Sequence, residues 1–338
     1  MSSTRVAVDV MGGDHAPDVL LKGVHLACDP ASEVALDPAR VLLVGDEETI
    51  RAGLKKLDSG LEFEIRHASQ AVGMDEKPAQ ALRKKPDSSI AGCVAAVKLG
   101  EAGALISMGN TGAVVGCATL GLSMLSGVRR PAIAVTLELT GQPVTLLDMG
   151  ANIAPRPQDL LEYAVMGRIY ATGCLGVDKP RVGLLNIGEE ETKGTEVLRG
   201  AHGLLTGADL DFVGNVEGGD IFKGRADVVV TDGFTGNVVL KLLEDFAAFM
   251  MGLVLRELTE HEVQWGPQAL HKVKKHIDYS EYGGALLLGV KGVVVIGHGR
   301  SDANAVSNAI HVAARALDAD VNGSIVHGLA SAQDGAPA

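Results

Sequence analysis

Short apolar runs rich in β-branched residues recur along the chain. Each run ends in a polar, glycine-rich turn that leads into a helical pattern. The runs occupy residues 6–10, 104–108, 144–147, 182–185, 227–231 and 293–296. Continuous apolar runs alternating with helices are typical of buried strands in a parallel sheet. The pattern therefore predicts the α/β class with a mainly parallel sheet.

The glycine-rich turns all follow the carboxyl ends of these predicted strands. In open α/β sheets, ligands bind beyond this edge, so the turns predict one shared site. We find no linker rich in Pro, Gly or Ser that would divide the chain. Residues 1–330 are therefore predicted to form a single domain, residues 331–338 a frayed tail, and residues 32–40 a surface loop.

The turn at residues 107–113 reads SMGNTGA and joins a predicted strand to a predicted helix. Free N–H groups at a helix start attract anions, and Asn110 and Thr111 add side-chain donors next to Gly112. Phosphate is the anion that this turn suits. A capped helix with a glycine turn is the structural alternative.

Two further turns have the same form, DGFTGN at residues 232–237 and GHGRSD at residues 297–302. Thr235 or Asn237 could cap the following helix, or hold a phosphate oxygen or a thioester carbonyl. His298 could be an acid or base, although a lone histidine is more often structural. Ser301 is predicted to be a helix N-cap.

The turn at residues 186–194, NIGEEETKG, places Lys193 where a loop before a helix would aim a cation into a cleft. An acidic first helical turn is the structural alternative. The turn at residues 9–17 contains Asp14 and His15, which could orient a ligand or satisfy turn amides. The motifs of serine hydrolases, zinc proteases, P-loop nucleotide binders and dinucleotide-binding folds do not occur.

Composition narrows the class of protein further. The 338 residues carry a formal net charge of −12, so general nucleic-acid binding is not expected. The four cysteines form no CxxC pair, and neither a disulfide framework nor a zinc site is expected. No cofactor and no metal are predicted. The first residues lack a signal-peptide pattern and no apolar run approaches a membrane span, which predicts a cytoplasmic protein.

Eight motifs in fixed order resemble the acyl-carrier-protein-dependent phosphate acyltransferase (PlsX) family, from about residue 5 to about residue 318. Departures are small: Val10 and Met108 stand where the family usually has Ala, and Met149 replaces Val. The motifs are DVMGGDHAP (9–17), SMGNTGA (107–113), RPAIA (130–134), LDMGAN (147–152), VGLLNIGEE (182–190), GNVEG (214–218), DVVVTDGFTGNVVLK (227–241) and EYGGALLLG (281–289).

The resemblance implies a reversible reaction in which inorganic phosphate attacks an acyl thioester on acyl carrier protein. The products would be an acyl phosphate and the free carrier thiol. The implied fold is a three-layer α/β/α sandwich, similar to phosphotransacetylases and isopropylmalate dehydrogenases. The family forms homodimers and associates with the membrane surface, and its product feeds a membrane glycerol-3-phosphate acyltransferase in phospholipid synthesis.

Phosphate is itself a nucleophile, so such an enzyme must bind an anion and stabilise an oxyanion. We expect Lys193 and Asn237 at the reacting centre, and His298 to help the thiolate leave. Asn110 and Thr111 would hold phosphate or the acyl carbonyl. The other residues expected to bind substrate are Asp14, Gly112, Asn152, Asn186, Asn215, Asp232, Thr235 and Ser301.

Two surface features have competing interpretations. The uncharged segment at residues 246–255, FAAFMMGLVL, is too short to span a bilayer, and predicts a buried or dimer helix or a membrane-surface contact. Basic clusters at residues 83–85 and 271–276 are usually solvated helix faces. An acidic carrier protein would nevertheless need a basic patch, for which we expect Lys272, Lys274 and Lys275, or Arg129 and Arg130.

Three other functions compete with this one. A phosphotransacetylase that uses coenzyme A would share the fold and the reaction type. A decarboxylating dehydrogenase would need a nicotinamide site and a carboxylate-held metal, neither of which can be assembled from the motifs. A membrane scaffold without catalysis would not need six polar glycine turns at one sheet edge.

Overall fold

The computed structural model describes residues 4–58, 60–139, 141–260 and 283–334. The chain forms two compact units, one of Met1–Pro131 with Tyr282–Ala330 and one of Ala132–Glu281 with Ser331–Ala338. The single domain predicted over residues 1–330 stays a prediction. Ser331 to Asp334, at the start of the predicted tail, are helical.

The described residues contain eleven strands and eleven α-helices. The strands are β1 (Val6–Asp9), β2 (Val41–Gly45), β3 (Glu64–His67), β4 (Ala104–Ser107), β5 (Ala132–Leu139), β6 (Gln142–Leu147), β7 (Arg181–Leu185), β8 (Asp211–Val216), β9 (Val228–Val230), β10 (Ala285–Leu288) and β11 (Val293–Ile296). The helices are α1 (Asp18–Ala27), α2 (Glu47–Leu57), α3 (Pro78–Lys84), α4 (Ser89–Lys98), α5 (Thr111–Leu122), α6 (Pro157–Leu175), α7 (Glu196–Thr206), α8 (Gly218–Phe222), α9 (Gly233–Glu260), α10 (Ala303–Asp318) and α11 (Val321–Asp334).

The first unit is built on a sheet with the strand order β3-β2-β1-β4-β11-β10. All neighbouring pairs are parallel except β10 and β11. The central strands are buried along their whole length, as their apolar sequences require. Asp9 pairs with Ser107, and Ser107 pairs with Ile296, so three strands end at the same level. This register brings the turns after β1, β4 and β11 to one edge of the sheet.

The second unit is built on a sheet with the strand order β5-β6-β9-β7-β8. Strands β5 and β6 form an antiparallel hairpin, and the remaining pairs are parallel. Val230 pairs with both Leu147 and Leu184, so β6 and β9 end at the same level and β7 ends one residue later. The turns that follow these strands therefore share one edge of the second sheet.

The predicted α/β class with a mainly parallel sheet is confirmed, and all six predicted strands are present. Some boundaries differ from those predicted. The long helix predicted to begin at Asn237 begins at Gly233, and the predicted surface loop at residues 32–40 contains the 3₁₀ helix Pro38–Arg40. Among the helices of the described residues, none is long and apolar enough to cross a membrane.

Candidate functional site

A buried carboxylate joins the strand ends of the first unit. Asp9, at the end of β1, is 2% exposed and accepts hydrogen bonds from the Ser107 hydroxyl at 2.6 Å and the Met11 N–H at 3.2 Å. Burial raises the pKa of Asp9, and the hydrogen bonds from Ser107 and Ser89 oppose that rise. Asp9 thus fixes the positions at which the turns after β1 and β4 begin.

The turns after β1, β4 and β11 touch one another. The Asp14 N–H donates to the Gly299 carbonyl at 2.9 Å. Gly13 has a φ of +107°, and a Cβ added there would lie 3.1 Å from the Met108 carbonyl oxygen. A side chain at this position would meet both backbone strain and a close contact. The predicted convergence of these three turns is therefore present within the first unit.

The turn after β4 presents the start of helix α5. The Asn110 Oδ1 accepts from the Ala113 N–H at 3.1 Å, so Asn110 is the N-cap. Its Nδ2 donates to the Met74 and Glu76 carbonyls at 2.8 and 3.0 Å. Thr111 and Gly112 are exposed in the first turn, where helix N–H groups have no intrahelical acceptor. Backbone donors of this kind suit an anion.

The turn after β11 contains His298 and Ser301. The His298 Nδ1 accepts from the Arg300 N–H at 3.1 Å, which leaves its Nε2 as the protonated nitrogen of the neutral ring. The Ser301 hydroxyl is buried and has no hydrogen-bond partner in the described part of the chain. The prediction that Ser301 is the helix N-cap is wrong. Asp302 caps α10 by accepting from the Ala305 N–H at 2.9 Å.

A second buried carboxylate, Asp148, organises the turn after β6 in the second unit. Its Oδ1 accepts from the N–H groups of Ile133, Gly150 and Ala151 at 2.9 to 3.1 Å. Its Oδ2 accepts from the Asn152 N–H at 2.7 Å and Nδ2 at 3.2 Å. Burial raises the pKa of Asp148, and the backbone donors oppose that rise. Asn152 is 7% exposed and is held in place by this carboxylate.

The turn after β9 packs against the Asp148 turn. The Gly233 N–H donates to the Asn152 carbonyl at 2.8 Å. Asp232 accepts from the Thr235 N–H at 2.9 Å and hydroxyl at 2.7 Å, so Asp232 caps α9. The prediction that Thr235 or Asn237 is the cap is wrong, because the helix begins four residues before Asn237. The exposed Asn237 instead lies beside Gly150, with its Oδ1 3.4 Å from an added Gly150 Cβ.

Asparagine side chains hold the loop after β7. Asn186 accepts from the Ile187 N–H at 2.8 Å and donates to the Lys193 carbonyl at 3.2 Å. Asn215, at 1% exposure, donates to the Glu190 carbonyl at 2.9 Å, and its Oδ1 has no partner among the described residues. The Lys193 Nζ is 4.0 Å from the Glu190 carboxylate, and 47% of its side chain is exposed. A cation with such a distant counter-ion is available to an added anion.

The structure therefore divides the predicted site residues between the two units. The first unit brings together Asp14, Asn110, Thr111, Gly112, His298 and Ser301. The second unit places Asn152, Asn186, Lys193, Asn215, Asp232, Thr235 and Asn237 after neighbouring strands of its own sheet. Our residue-by-residue prediction did not include Asp9 and Asp148. Their signal in the sequence was an acidic residue at the end of an apolar strand followed closely by glycine.

Comparisons with known proteins agree with the motifs. A sequence model of the family described as fatty acid synthesis protein matches residues 4–324. A protein of Heliobacterium modesticaldum named phosphate acyltransferase is 49% identical over 316 residues, which are 91% of this chain and 92% of that protein. A protein of the same name from Desulforudis audaxviator is 44% identical over 98% of this chain and 97% of its own length.

Solved structures show the same fold at low identity. A phosphotransacetylase from Streptococcus pyogenes superimposes with a TM-score of 0.61 at 18% identity, over 93% of this chain and 94% of that one. A phosphotransacetylase from Staphylococcus aureus gives a TM-score of 0.58 at 15% identity, over 93% and 94% of the two chains. These likenesses establish the fold.

Proposed function

This chain belongs to the fatty acid synthesis protein family, in which its curated relatives are phosphate acyltransferases, and from that premise we propose that its acyl donor is acyl carrier protein. The chain is an acyltransferase enzyme. In the proposed reaction, a phosphate oxygen bonds to the thioester carbonyl carbon and the carbon–sulfur bond breaks. The thiolate takes a proton, and the products are an acyl phosphate and the carrier thiol. The transfer is reversible.

The observation that carries this proposal is the start of α5, where Thr111 and Gly112 are exposed beside the turns of Asp14 and His298. Backbone N–H groups at a helix start bind phosphate without a nucleophilic side chain. The chemistry needs none, because phosphate is the attacking group and the protein supplies position and charge. The family match covers this turn as well as the turns of the second unit.

We assign the remaining groups by their chemistry. Lys193 and Asn237 would stabilise negative charge that develops on the reacting oxygens, as a cation and an amide donor. His298 would donate its Nε2 proton to the departing thiolate, whose ordinary pKa is about 8.5. Asn110, Asn152, Asn186, Asn215 and Asp232 would act through the turns that they hold. Asp14, Thr235 and Ser301 would contact substrate.

We further propose which enzyme consumes the product, and how the protein is assembled and located. An acyl phosphate is an activated acyl donor, and a membrane glycerol-3-phosphate acyltransferase would consume it in phospholipid synthesis. The protein would be a cytoplasmic homodimer that associates peripherally with the membrane. Support comes from helix α9, which carries eight of the fifteen exposed large apolar side chains of the described residues.

The alternative is a phosphotransacetylase reaction in which acyl coenzyme A is the donor, and proteins of that name share the fold of this chain. A single assay separates the two. Purified protein would receive palmitoyl carrier protein or palmitoyl coenzyme A, with and without phosphate, and free thiol would be measured. We expect phosphate-dependent thiol release from the carrier alone. Equal thiol release from palmitoyl coenzyme A would establish the alternative. No thiol release from either donor would refute both reactions.

A further inference from the structure

A segment of the first unit has a positive charge although the chain as a whole is acidic. Residues 74–85, called here the basic segment, comprise a loop and helix α3. They contain four cations and two carboxylates, a net charge of +2 in a chain of −12. Lys85 is paired with Glu76. The side chains exposed to solvent include the cations Lys77, Arg83 and Lys84 against a single carboxylate, Asp75. The exposed face of the basic segment is therefore cationic.

The basic segment is attached directly to the turn that begins α5. The Asn110 Nδ2 donates to the Met74 and Glu76 carbonyls at 2.8 and 3.0 Å. Gly112 faces Pro78 so closely that an added Cβ would lie 2.6 Å from the Pro78 Cγ. One turn further along α5, a Cβ on Gly116 would lie 3.0 Å from the Leu82 Cδ1. A partner seated on the basic segment would therefore lie next to Thr111 and Gly112.

We propose that the basic segment, rather than Arg129 and Arg130, is the docking surface for the acidic protein that carries the acyl thioester. The other residues expected for this role, Lys272, Lys274 and Lys275, lie outside the described residues. The inference rests on the proposed function and adds the surface that the donor contacts. An acidic partner is repelled by most of a chain with a charge of −12, so its approach depends on a local cationic face. The basic segment supplies that face beside the exposed N–H groups of α5.

An anionic membrane is the other partner that a cationic surface attracts, and the apolar residues argue against it. An interfacial helix inserts an apolar face below the headgroups. None of the exposed large apolar side chains of the described residues lies within the basic segment. Its exposed residues include Gln80, Arg83 and Lys84, which favour a polar protein surface.

The test reverses two charges at the proposed surface and two elsewhere in the same unit. Arg83→Glu with Lys84→Glu changes the basic segment. Lys55→Glu with Lys56→Glu is the matched control, because both lysines are exposed in the last turn of α2. Helix α2 follows β2, so its last turn lies about 16 Å from the carboxyl edge of the sheet where the helix begins. Circular dichroism would verify that both variants are folded.

Two acyl donors distinguish an effect of the substitutions on docking from an effect on catalysis. Acyl carrier protein presents the acidic protein, and acyl-pantetheine presents the same thioester without protein or charge. For the basic-segment variant we expect the KM for the carrier donor to rise by about tenfold, with kcat within about twofold. The KM for acyl-pantetheine should stay unchanged with both variants. The wild-type KM for the carrier should rise with salt, and that of the variant should rise less.

Three results would overturn the docking surface. These are an unchanged KM for the carrier donor, an equal rise in the Lys55/Lys56 control, and a parallel rise for acyl-pantetheine. An unchanged KM together with lost binding to phosphatidylglycerol vesicles would assign the surface to the membrane. A wild-type protein without phosphate-dependent transfer from either donor would refute the proposed function itself, which distinguishes the two failures.

Discussion

A substitution of Lys193 tests the proposed catalytic chemistry directly. Within the described part of the chain, the Lys193 Nζ has one distant contact, to Glu190, and the side chain is half exposed, so its removal leaves no buried partner there unsatisfied. We expect Lys193→Ala to lower kcat by about 10²- to 10³-fold, the usual cost of losing one group that stabilises developing charge. Steady-state kinetics and thermal unfolding would be measured together.

The control for that change is Lys223→Ala. Lys223 is also an exposed lysine of the second unit, and its side chain pairs with Asp220 at 3.1 Å. Because it lies outside the predicted site residues, kcat should change by less than about twofold. Wild-type kcat in Lys193→Ala would remove Lys193 from the reacting centre.

Asp227 provides a residue-scale prediction for acid stability. Its carboxylate accepts from the Arg181 N–H at 2.8 Å, Nε at 3.0 Å and Nη2 at 2.9 Å. Burial alone would raise the pKa of Asp227, but the hydrogen bonds from Arg181 outweigh it and the pKa is lowered. A lowered pKa means that the pair stabilises the folded state above the unfolded pKa of about 3.9 and loses this contribution as pH falls through the folded pKa.

A double-mutant cycle of Arg181→Ala and Asp227→Asn isolates that contribution. Because the Arg181 side chain is 42% exposed, solvent screening limits the coupling to about 0.5–1 kcal/mol at neutral pH. Urea unfolding should show this coupling at about pH 7 and a smaller one at about pH 3. A coupling that grows on acidification would contradict the assigned direction of the pKa shift.

At the scale of elements, the approach of α9 to the Asp148 turn depends on Gly236. A Cβ at this position would lie 1.9 Å from the Asp148 carbonyl oxygen, a backbone atom that no rotamer change can move. Gly236→Ala must therefore displace the first turn of α9 from residues 148–152. We expect a loss of about 3 kcal/mol in the free energy of unfolding, together with a loss of acyl transfer.

The same helix contains the matched control. Gly252 is exposed, and an added Cβ there meets no atom of the described residues within 4 Å. Gly252→Ala should therefore stabilise the protein by about 0.5–1 kcal/mol through helix propensity alone. Urea unfolding of both variants would be compared with the wild type. Similar effects at Gly236 and Gly252 would show that the close approach to Asp148 is unimportant.

The elements also show which features the sequence could predict. Strands β1, β4 and β11 were predictable because they are buried on both faces and read as apolar runs. Strand β3 (Glu64-Ile-Arg-His67) and strand β8 (Asp211–Val216) lie at sheet edges, where exposure permits polar residues and removes the apolar signal.

The site likewise has features that the local sequence predicts and features that it does not. The glycine-rich turns marked where polar groups gather, since strand ends and turn residues are local features. Whether Asp232 or Thr235 caps α9 depends on the helix start, which is set by the contact between Gly233 and Asn152. Besides its local donors in the turn, Asp148 accepts from the distant Ile133 N–H. Long-range contacts of this kind leave no pattern in a single sequence.

At the scale of the whole molecule, helix α9 predicts an assembly. Its 28 residues extend for about 42 Å, and Val238, Leu242, Phe246 and Phe249 follow one another at intervals of three or four residues. Leu242, Phe246 and Phe249 are 65%, 56% and 60% exposed. A continuous apolar stripe of this length is costly in water, so we expect a second copy of the chain to cover it.

Sedimentation velocity would test this expectation with Phe246→Asp and Phe249→Asp combined. The wild type should sediment as a dimer, and the variant as a monomer, because two carboxylates cannot be buried in an apolar interface without counter-ions. Val34→Asp with Leu99→Asp is the control, since these apolar residues are equally exposed but lie outside α9. This control should remain dimeric. A monomeric wild type would refute the dimer. If the α9 variant stays dimeric but no longer floats with phosphatidylglycerol vesicles, the apolar stripe contacts the membrane instead.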